Sequence, residues 1–342
     1  MRPAFTVSAN SRDITDAIAQ RLLSLTVTDS TGIDSDTLEI VLDDDPTNRV
    51  QLPSTGAELR VALGYEGALQ DVGLFVIDEV ELAGWPATLT VRGRASVMVS
   101  SSAGKAAFTS QKTRSWPAGT TLGALCSTIA KEHVLSLSMA DALQKIALPH
   151  IDQRHESDLN LLTRLSRQYD AIFKPAGGVL TVVRRGQSLT GAGKSLPRAT
   201  LRGSQVSNYS LSLNARDASG SVTASWHAKG AAKREEIKVG SGEPVRALRH
   251  VYKDRAQALS AANAELARRQ RGQKTLSLTV PGNPGLSADA QLALTELHPA
   301  IDGTWLIKSI THAFNPSSGY TSTLELELPG TSAGNASSTS DD

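Results

Sequence analysis

"GLFVIDEV" at residues 73–80 and "GTWLIKSI" at residues 303–310 follow one pattern: glycine, any residue, aromatic, aliphatic, isoleucine, two variable positions and an aliphatic. Each is followed by a turn that contains a proline, and then by a Thr-Leu-any-aliphatic stretch, at residues 88–91 and 323–326. Matches this short also arise by chance, so the residues alone leave chance and duplication both open. If the repeat is real, the chain carries two versions of one β-barrel, each closing with the same hairpin.

Alternation of apolar and polar residues extends the β pattern toward both ends of the chain. Successive side chains of a strand point to opposite faces, so alternation marks strands with one buried face. It occurs around residues 37–42 and 58–65, and again around 209–213, 276–280 and 324–328. We therefore expect sheets with one solvated face in both regions.

Between these regions, from about residue 96 to residue 195, the apolar period lengthens toward 3.6. One apolar stripe predicts a helix with Thr120 or Thr121 as N-cap: Leu122, Leu125, Cys126 and Ile129. A second stripe predicts a helix that starts after Ser157: Leu162, Leu165, Tyr169 and Ile172. A third helix is predicted at residues 254–269, with Gly272 just past its end. The fold class is thus predicted as mainly β with an inserted α/β segment.

Composition narrows the function classes. The 342 residues suffice for two or three domains, and a net charge of +1 supplies no global field toward nucleic acid or an anionic membrane. A single cysteine, Cys126, excludes an internal disulfide and a cysteine-based zinc site. The chain shows neither a signal-peptide pattern nor an apolar run of about 18 residues. We expect a soluble protein made in a reducing cytoplasm, with a disordered polar tail at 331–342.

The stretch HIDQRHESD, residues 150–158, gathers residue types that bind metals or transfer protons. A zinc-protease helix needs a second histidine four residues after His155, where this chain has Leu159. Ser157 instead stands where an N-cap belongs, and Asp158 puts negative charge in the first turn. The stretch, with His150, Asp152 and Glu156, is therefore interpreted as a capped helix start.

Two further stretches imitate binding motifs. "GAGKS" at 191–195 lacks the first glycine of a phosphate loop, because Ser188 stands there, and Pro197 interrupts the helix that should follow. "RRQRG" at 268–272 is interpreted as offsetting a helix dipole, with contact to phosphates in a DNA channel as the alternative. The remaining histidines share no spacing and are interpreted as surface or satisfied core residues: His133, His227, His250, His298 and His312.

The sequence holds no nucleophile-elbow pattern and no cysteine beside a histidine motif. No acid pair stands in a recognisable glycosidase context. We therefore predict no catalytic residue, no cofactor-binding residue, no metal ligand and no cofactor, which favours a structural role.

Six stretches run in one order along nearly the whole chain: LLSLTVTDSTGIDSDTLEIVLDD (22–44), LGYEG with VGLFVIDEVE (63–81), KTRSWPAGTTLGALCSTIAKEH (112–133), HIDQRHESDLNLLTRLSRQYDAIFKPAGG (150–178), RGQKTLSLTVPGNPGLSAD (271–289) and IDGTWLIKSITHAFNPSSGYTSTLELELPG (301–330). By order and coverage they resemble the late control D family, the baseplate hub proteins of contractile-tailed bacteriophages. One part is also similar to the spike proteins of type VI secretion: Gln153, Glu156, Ser157, Asp158 and Leu165. Those proteins usually have phenylalanine where this chain has Leu161, and they carry a long fused spike that this chain lacks.

The resemblance implies a homotrimer in which each chain supplies two tube-like β-barrels. Residues 1–97 with about 197–225 would form the first barrel, and residues 226–330, with one helix, would form the second. Residues 98–196 would form the inserted α/β domain, which contacts neighbouring baseplate proteins. Three chains would then present six barrels, a pseudo-sixfold ring between a sixfold tail tube and a threefold spike.

The partners implied by the resemblance are the central spike protein, the tail tube or tube-initiator protein, other baseplate proteins and the tape measure protein. DNA would pass through the ring without sequence-specific binding, and no direct membrane insertion is expected. The protein would be assembled in the host cytoplasm and located in the virion tail baseplate. Two alternatives stay open: a baseplate-associated cell-wall hydrolase, and a DNA-binding late-gene regulator.

Overall fold

The computed structural model describes residues 2–32, 36–96, 108–188, 194–214, 220–227 and 234–329. These residues are mainly β, as the alternating patterns predicted. None of the helices within these ranges combines the length and apolar character that spanning a bilayer requires. The tail predicted at 331–342 and the first three residues of GAGKS lie outside the described residues.

The N-terminal half, residues 2–32 and 36–96, is an antiparallel sheet with one buried face. Its strands are β1 (Pro3–Ala9), β2 (Arg12–Asp13), β3 (Leu22–Ser30), β4 (Thr37–Asp43), β5 (Glu58–Tyr65), β6 (Ala68–Ala83) and β7 (Thr88–Ala95), with the short helix α1 (Thr15–Ala19) after β2. Their order across the sheet is β2-β1-β5-β6-β7-β4-β3. The apolar residues of the alternating strands form its core, among them Leu38, Ile40, Leu59, Val61 and Phe75.

The C-terminal half, residues 194–214 and 274–329, has its own core, which includes Leu276, Leu278, Trp305, Ile307 and Leu324. Its strands are β13 (Ala199–Arg202), β14 (Asn208–Leu213), β18 (Lys274–Pro281), β19 (Gln291–Thr295), β20 (Gly303–Asn315) and β21 (Gly319–Glu327), with one 3₁₀ turn at Gly203–Gln205. The order is β13-β19-β20-β21-β18-β14.

Strands β13 and β14 correct the grouping of residues 197–225 with the N-terminal half. β13 pairs with β19 and β14 pairs with β18, so residues 199–202 and 208–213 of this segment belong to the C-terminal sheet. Leu201 of β13 is buried in the C-terminal core and Leu211 of β14 packs against it. Alternation alone could not show this, because it identifies a strand without identifying its neighbour.

The two halves repeat one another strand for strand. Reading across each sheet, β1-β5-β6-β7-β4-β3 corresponds to β13-β19-β20-β21-β18-β14. The outermost pair differs in direction, since β1 is antiparallel to β5 whereas β13 is parallel to β19. A shared order over six strands is far more than the eight-residue pattern in the sequence, and it favours duplication over chance.

Local details of β6 and β20 also agree. Each strand has a bulge directly after the shared isoleucine, at Asp78 after Ile77 and at Lys308 after Ile307. The shared glycines, Gly73 and Gly303, have φ angles of 139° and 135°, a conformation that side chains rarely adopt. Bulges re-aim a strand locally, so both halves bend at the same point of the repeat.

The register corrects one part of the sequence alignment. Val80 faces Val91 across the β6-β7 hairpin, and Ile310 faces Leu324 across the β20-β21 hairpin. Val91 therefore corresponds to Leu324, and not to Leu326 as the Thr-Leu-any-aliphatic match implied. A shift of two residues keeps the same face of a strand, which is why the apolar pattern did not reveal it.

Within the described ranges, the halves join through one strand pairing, between β3 and β20. β20 is longer than its neighbour β19, which pairs only with the first part of β20, Gly303–Leu306. Further along β20, residues 309–314 pair antiparallel with β3. Thr28 and Thr311 add a side-chain hydrogen bond of 3.2 Å across this joint. One continuous sheet therefore runs through both halves.

A middle unit, residues 108–188, lies between the halves in sequence and has its own core. Its elements are β8 (Gln111–Trp116), α2 (Leu122–Glu132), β9 (Ser136–Met139), α3 (Asp141–Gln144), β10 (Ile151–Ser157), α4 (Asp158–Tyr169), β11 (Ala171–Ala176) and β12 (Val179–Arg184). Thr121 caps α2 as predicted, accepting a hydrogen bond from the Ala124 amide. α4 ends at Tyr169, because Asp170 is left-handed with φ 46°, so Ile172 lies in β11, which starts at Ala171, and does not extend the helix.

A small unit, residues 220–227 and 234–272, interrupts the C-terminal half. It consists of β15 (Ser221–His227), β16 (Arg234–Gly240), β17 (Val245–Tyr252) and the helix α5 (Arg255–Gly272). Trp226, Ala258 and Ala262 are buried in its core, and Asp254 caps the helix. Its three strands form a sheet of their own, so residues 226–227 and 234–252, which were assigned from the sequence to the second barrel, are not part of the C-terminal sheet.

Candidate functional site

The candidate helix start at residues 150–158 contains a buried charge centre. The carboxylate of Asp158 is fully buried and accepts four hydrogen bonds. The donors are Lys112 Nζ at 2.5 Å, Arg114 Nη2 at 2.7 Å, His133 Nε2 at 2.8 Å and Gln153 Nε2 at 2.8 Å. Four donors on one carboxylate fix its position and stabilise its charge.

Neighbouring elements bring these donors together. Lys112 and Arg114 are two residues apart on β8, so both side chains point to the same face. Ser157 ends β10 and accepts the Asn160 amide at 3.2 Å, which confirms it as the N-cap of α4. The cap starts the helix directly behind the sheet and places the Asp158 carboxylate against β8.

Hydrogen bonding determines the protonation state of Asp158. Burial by itself raises the pKa of this carboxyl group, but the hydrogen bonds from Lys112, Gln153 and His133 outweigh burial and lower the pKa to about 2. Glu132 binds the same two cations, at 2.8 Å from Lys112 and 2.6 Å from Arg114. The centre is therefore a compact set of two carboxylates and two cations that remains ionised at neutral pH.

Ligand atoms of Glu132, His133 and Asp158 lie within 4.8 Å of one another, a spacing that suits a metal ion. The charges do not suit one, because Lys112 and Arg114 already occupy both carboxylates. A divalent cation would have to displace an ammonium and a guanidinium group. The arrangement fits a structural ion cluster better than a metal centre.

The histidines of the stretch stay outside this centre. His150 binds the exposed Asp152 at 3.1 Å, and His155 lies at a bulge of β10 with φ 47°. Glu156 binds Arg164 of α4 at 2.9 Å. The sequence thus pointed to the right segment, but the residue at its centre is Asp158, whose partners come from β8 and α2.

A second ion cluster joins the middle unit to the N-terminal half. Lys174 of β11 binds Asp29 of β3 at 3.0 Å and Asp36 at 2.8 Å. Burial and the neighbouring Asp29 raise the pKa of Asp36 to about 6, although Lys174 opposes this. For Asp29, burial is outweighed by Lys174 and by the amide of Ala288, and the pKa is lowered. The cluster lies beside the β3-β20 joint, so it ties the middle unit to the sheet where the halves meet.

The RRQRG stretch contributes to a third cluster. Arg271 is 2% exposed and forms two hydrogen bonds with Asp170 at the end of α4. Glu327 of β21 accepts a hydrogen bond from Arg185 Nε at 3.1 Å, and the same oxygen, Oε1, lies 3.4 Å from Arg271 Nε. Arg271 therefore does more than offset a helix dipole, since it links the small unit, the middle unit and the C-terminal half. Arg268 and Arg269 bind Glu265 on the same helix: their positions are i+3 and i+4.

Asp289 completes this side of the joint. It accepts the Gly186 amide at 3.2 Å, and its backbone carbonyl accepts the Ser188 hydroxyl at 2.6 Å. Its second carboxylate oxygen is buried without a hydrogen-bond partner among the described residues. Burial accordingly raises the pKa of Asp289 to about 6.

Among the other histidines, which were interpreted as surface or satisfied core residues, His312 is a buried residue with hydrogen-bond partners. Its Nδ1 lies 2.9 Å from the Ser322 hydroxyl and 3.0 Å from the Tyr320 hydroxyl. Burial lowers its pKa to about 4, so it is neutral at physiological pH.

Apart from these clusters, two of the strand edges that are unpaired within the described residues carry exposed apolar side chains. β14 pairs only with β18, and residues 79–83 of β6 pair only with β7. Exposed apolar side chains mark both edges: Tyr209 (44%) and Leu213 (71%) on β14, Leu82 (56%) on β6 and Trp85 (78%) just after it. An edge with open backbone groups and apolar side chains is a template for pairing with another strand.

Comparison with known proteins places this architecture. The model of the family "Phage tail baseplate hub (GPD)" matches residues 20–318. A probable baseplate hub protein of Escherichia phage 186 is 36% identical over 372 aligned positions, covering 96% of this chain and 93% of the relative.

Two solved structures share the fold. A 43 kDa tail protein of prophage MuSo2 from Shewanella oneidensis has a TM-score of 0.72 at 15% identity, covering 96% of this chain and 98% of that protein. An Escherichia coli component of the type VI secretion system has a TM-score of 0.54 at 12% identity, covering 90% and 73%. The family resemblance drawn from the six ordered stretches is confirmed, and so is the likeness to the secretion system.

Proposed function

The chain belongs to the phage tail baseplate hub family, and we propose that three copies form a ring that joins the tail tube to the central spike. Each half of the chain would form one tube-like barrel. The ring would then carry six similar barrels, matching a sixfold tube on one side and a threefold spike on the other. Its centre would form part of the channel for DNA ejection.

The repeated strand order of the two halves carries this proposal. A trimer of a duplicated chain presents six similar surfaces, so a sixfold partner meets nearly the same contact at every position. A trimer of a chain with only one such half would present three surfaces, so every second subunit of a sixfold partner would have no matching contact. The matched bulges and glycines of β6 and β20 support barrels of similar curvature.

The joints between units suit a part that transmits force. The halves share one sheet through β3 and β20, whose backbone hydrogen bonds resist shear. Lys174, with its two aspartates, and Arg271, with Asp170 and Glu327, hold the middle and small units against that sheet. On sheath contraction, such a body would move with tube and spike as one rigid piece and then release the spike.

The role proposed here is non-enzymatic. The buried clusters pair their charges internally, Asp158 with Lys112 and Arg114, and Arg271 with Asp170. The partners would be the spike, the tail tube or tube-initiator protein, other baseplate proteins and the tape measure protein. The virion tail baseplate would be its location after assembly in the host cytoplasm.

Electron microscopy of tail particles that contain the chain tests the proposal. We expect a threefold ring between tube and spike, and tails that fail to assemble when the gene is deleted. A chain that is absent from tails, or that stays monomeric within them, would overturn the ring. Clearing of peptidoglycan by the purified protein in a zymogram would favour the hydrolase, and salt-sensitive binding to duplex DNA would favour the regulator.

A further inference from the structure

The internal joint, the pairing of β3 with β20 within the chain, has a counterpart in the repeat whose two strand edges are left unpaired in the part of the chain that the structure describes. Within the chain, β3 pairs with residues 309–314 of β20. The counterpart of β3 in the other half is β14, and the counterpart of residues 309–314 is residues 79–84 at the end of β6. Both counterparts are the unpaired edges described above.

Strand pairing fixes the correspondence residue by residue. Val91 corresponds to Leu324, and these two residues face Ile40 and Leu278, so Ile40 corresponds to Leu278. Leu25 faces Ile40, and Tyr209 faces Leu278. Tyr209 therefore corresponds to Leu25. The same path matches Leu211 with Val27, as both strands pair in one unbroken register here.

The β6 side is fixed equally well. Ile77 and Ile307 each exchange backbone hydrogen bonds with the residues just before the neighbouring strand: Gly56 and Ala57 in one half, Asp289 and Ala290 in the other. The bulge follows in both halves. Leu82 therefore corresponds to His312, and Ala83 to Ala313.

We propose that β14 of one copy pairs antiparallel with residues 79–84 of β6 in the next copy, in the register of the internal joint. Leu82 then faces Leu211, Ala83 faces Ser210 and Gly84 faces Tyr209. The inference rests on the proposed ring, and it names the contact that closes it. Every barrel would be joined to the next by the same strand pairing, alternately within one chain and between chains.

The side chains suit this pairing. Leu82, Leu213 and Tyr209 are exposed in the single chain. The joint residues that correspond to Leu82 and Tyr209 are buried, since His312 is 3% exposed and Leu25 is fully buried. In the proposed register, Leu213 faces Val80, so apolar groups of the two edges cover one another. Tyr209 packs over Gly84, which offers no side chain of its own, as an aromatic residue does beside a strand glycine.

The internal joint also supplies the matched control for a cross-linking test. Ala83 and Ser210 of neighbouring copies would face each other as Ala313 and Thr26 do within one chain. Directly opposed residues in antiparallel strands lie about 4.5–5.5 Å apart at Cα, within the range of a disulfide. The native Cys126 is buried, and burial raises the pKa of its thiol to about 12, so it does not interfere.

The experiment mixes full-length Ala83→Cys chains with full-length Ser210→Cys chains before assembly. After mild oxidation, purified rings and tail particles are run on non-reducing gels. We expect a covalent dimer from the mixture and none from either variant alone. A chain carrying both substitutions should give a ladder that ends at the trimer. Thr26→Cys with Ala313→Cys should close within one chain, and Ala83→Cys with Ser212→Cys, two residues out of register, should cross-link at least tenfold less.

The outcomes separate the contact from the ring. If threefold rings form and the internal control closes but the 83/210 pair stays uncoupled, the proposed pairing is wrong and the hub function stands. If the chain forms no rings and enters no tails, the hub proposal fails with it. Leu82→Lys gives an independent check, because it should abolish ring formation, while Leu69→Lys, which is exposed on the part of β6 that already pairs with β5, should not. Rings of normal stability from Leu82→Lys would count against the pairing.

Discussion

Replacing Asp158 by asparagine tests the charge centre of the middle unit. The carboxylate has a pKa of about 2 in the folded protein, against about 3.9 in an unfolded chain. At 1.36 kcal/mol per pKa unit, the charge contributes about 2.5 kcal/mol to the free energy of unfolding at neutral pH. Because the folded pKa is the lower one, this contribution is present above pH 4 and is lost between pH 4 and pH 2.

Asp158→Asn should therefore lower the stability of the middle unit by about 2 to 3 kcal/mol at pH 7, and the difference from the unaltered protein should shrink as the pH falls below 4. Hydrogen exchange of residues 151–169, followed in urea at several pH values, measures both effects. Asp152→Asn is the matched control, since Asp152 is 48% exposed and binds only His150. Equal stability of the two variants at pH 7, or an unchanged difference at pH 2, would refute the assigned role of Asp158.

Four more changes probe the same regions. Ser157→Ala should cost about 1 kcal/mol of local stability through the lost N-cap, measured by urea unfolding, whereas His155→Ala should leave tail assembly intact in a plaque or tail-yield assay. Lys174→Met should free the middle unit from the sheet at a cost of about 3 to 5 kcal/mol, seen as faster proteolysis between the units. Asp289→Asn should stabilise the protein by about 1 to 3 kcal/mol at pH 8: a raised pKa makes the buried carboxylate unfavourable as the pH rises through 4 to 6, so the gain should vanish in unfolding measured at pH 4.

Local patterns revealed most of the strands and helices. The residues of β4, β5 and β18 alternate in sequence, and their apolar members are buried in the structure. Thr121, Ser157 and Asp254 cap helices because their side-chain oxygens satisfy free amides at a helix start. Such features depend on neighbours within a few residues, which a single sequence contains.

Pairing between distant segments was the part that the sequence did not reveal. β14 has the same alternation as any half-buried strand, so its place in the C-terminal half was missed. Asp158 looked like an ordinary first-turn acid, because Lys112 and Arg114 lie more than forty residues away. The one available signal was the pair of basic residues Lys112 and Arg114, two apart on a strand. This spacing indicates a charged face but does not identify the acidic residue that binds it.

The joint between β3 and β20 also affects how the chain reaches its folded state. Thr28 and Thr311 are 283 residues apart, so at about 5–20 residues per second the ribosome needs roughly 15 to 60 s to deliver the partner of β3. During that time the finished N-terminal half exposes the edge of β3. Its partner within the chain, residues 309–314, resembles residues 79–84, which every other nascent copy already presents. Chains made on one messenger would therefore compete to pair with each other before each can complete itself. Slow synthesis or crowded polysomes should then favour swapped assemblies.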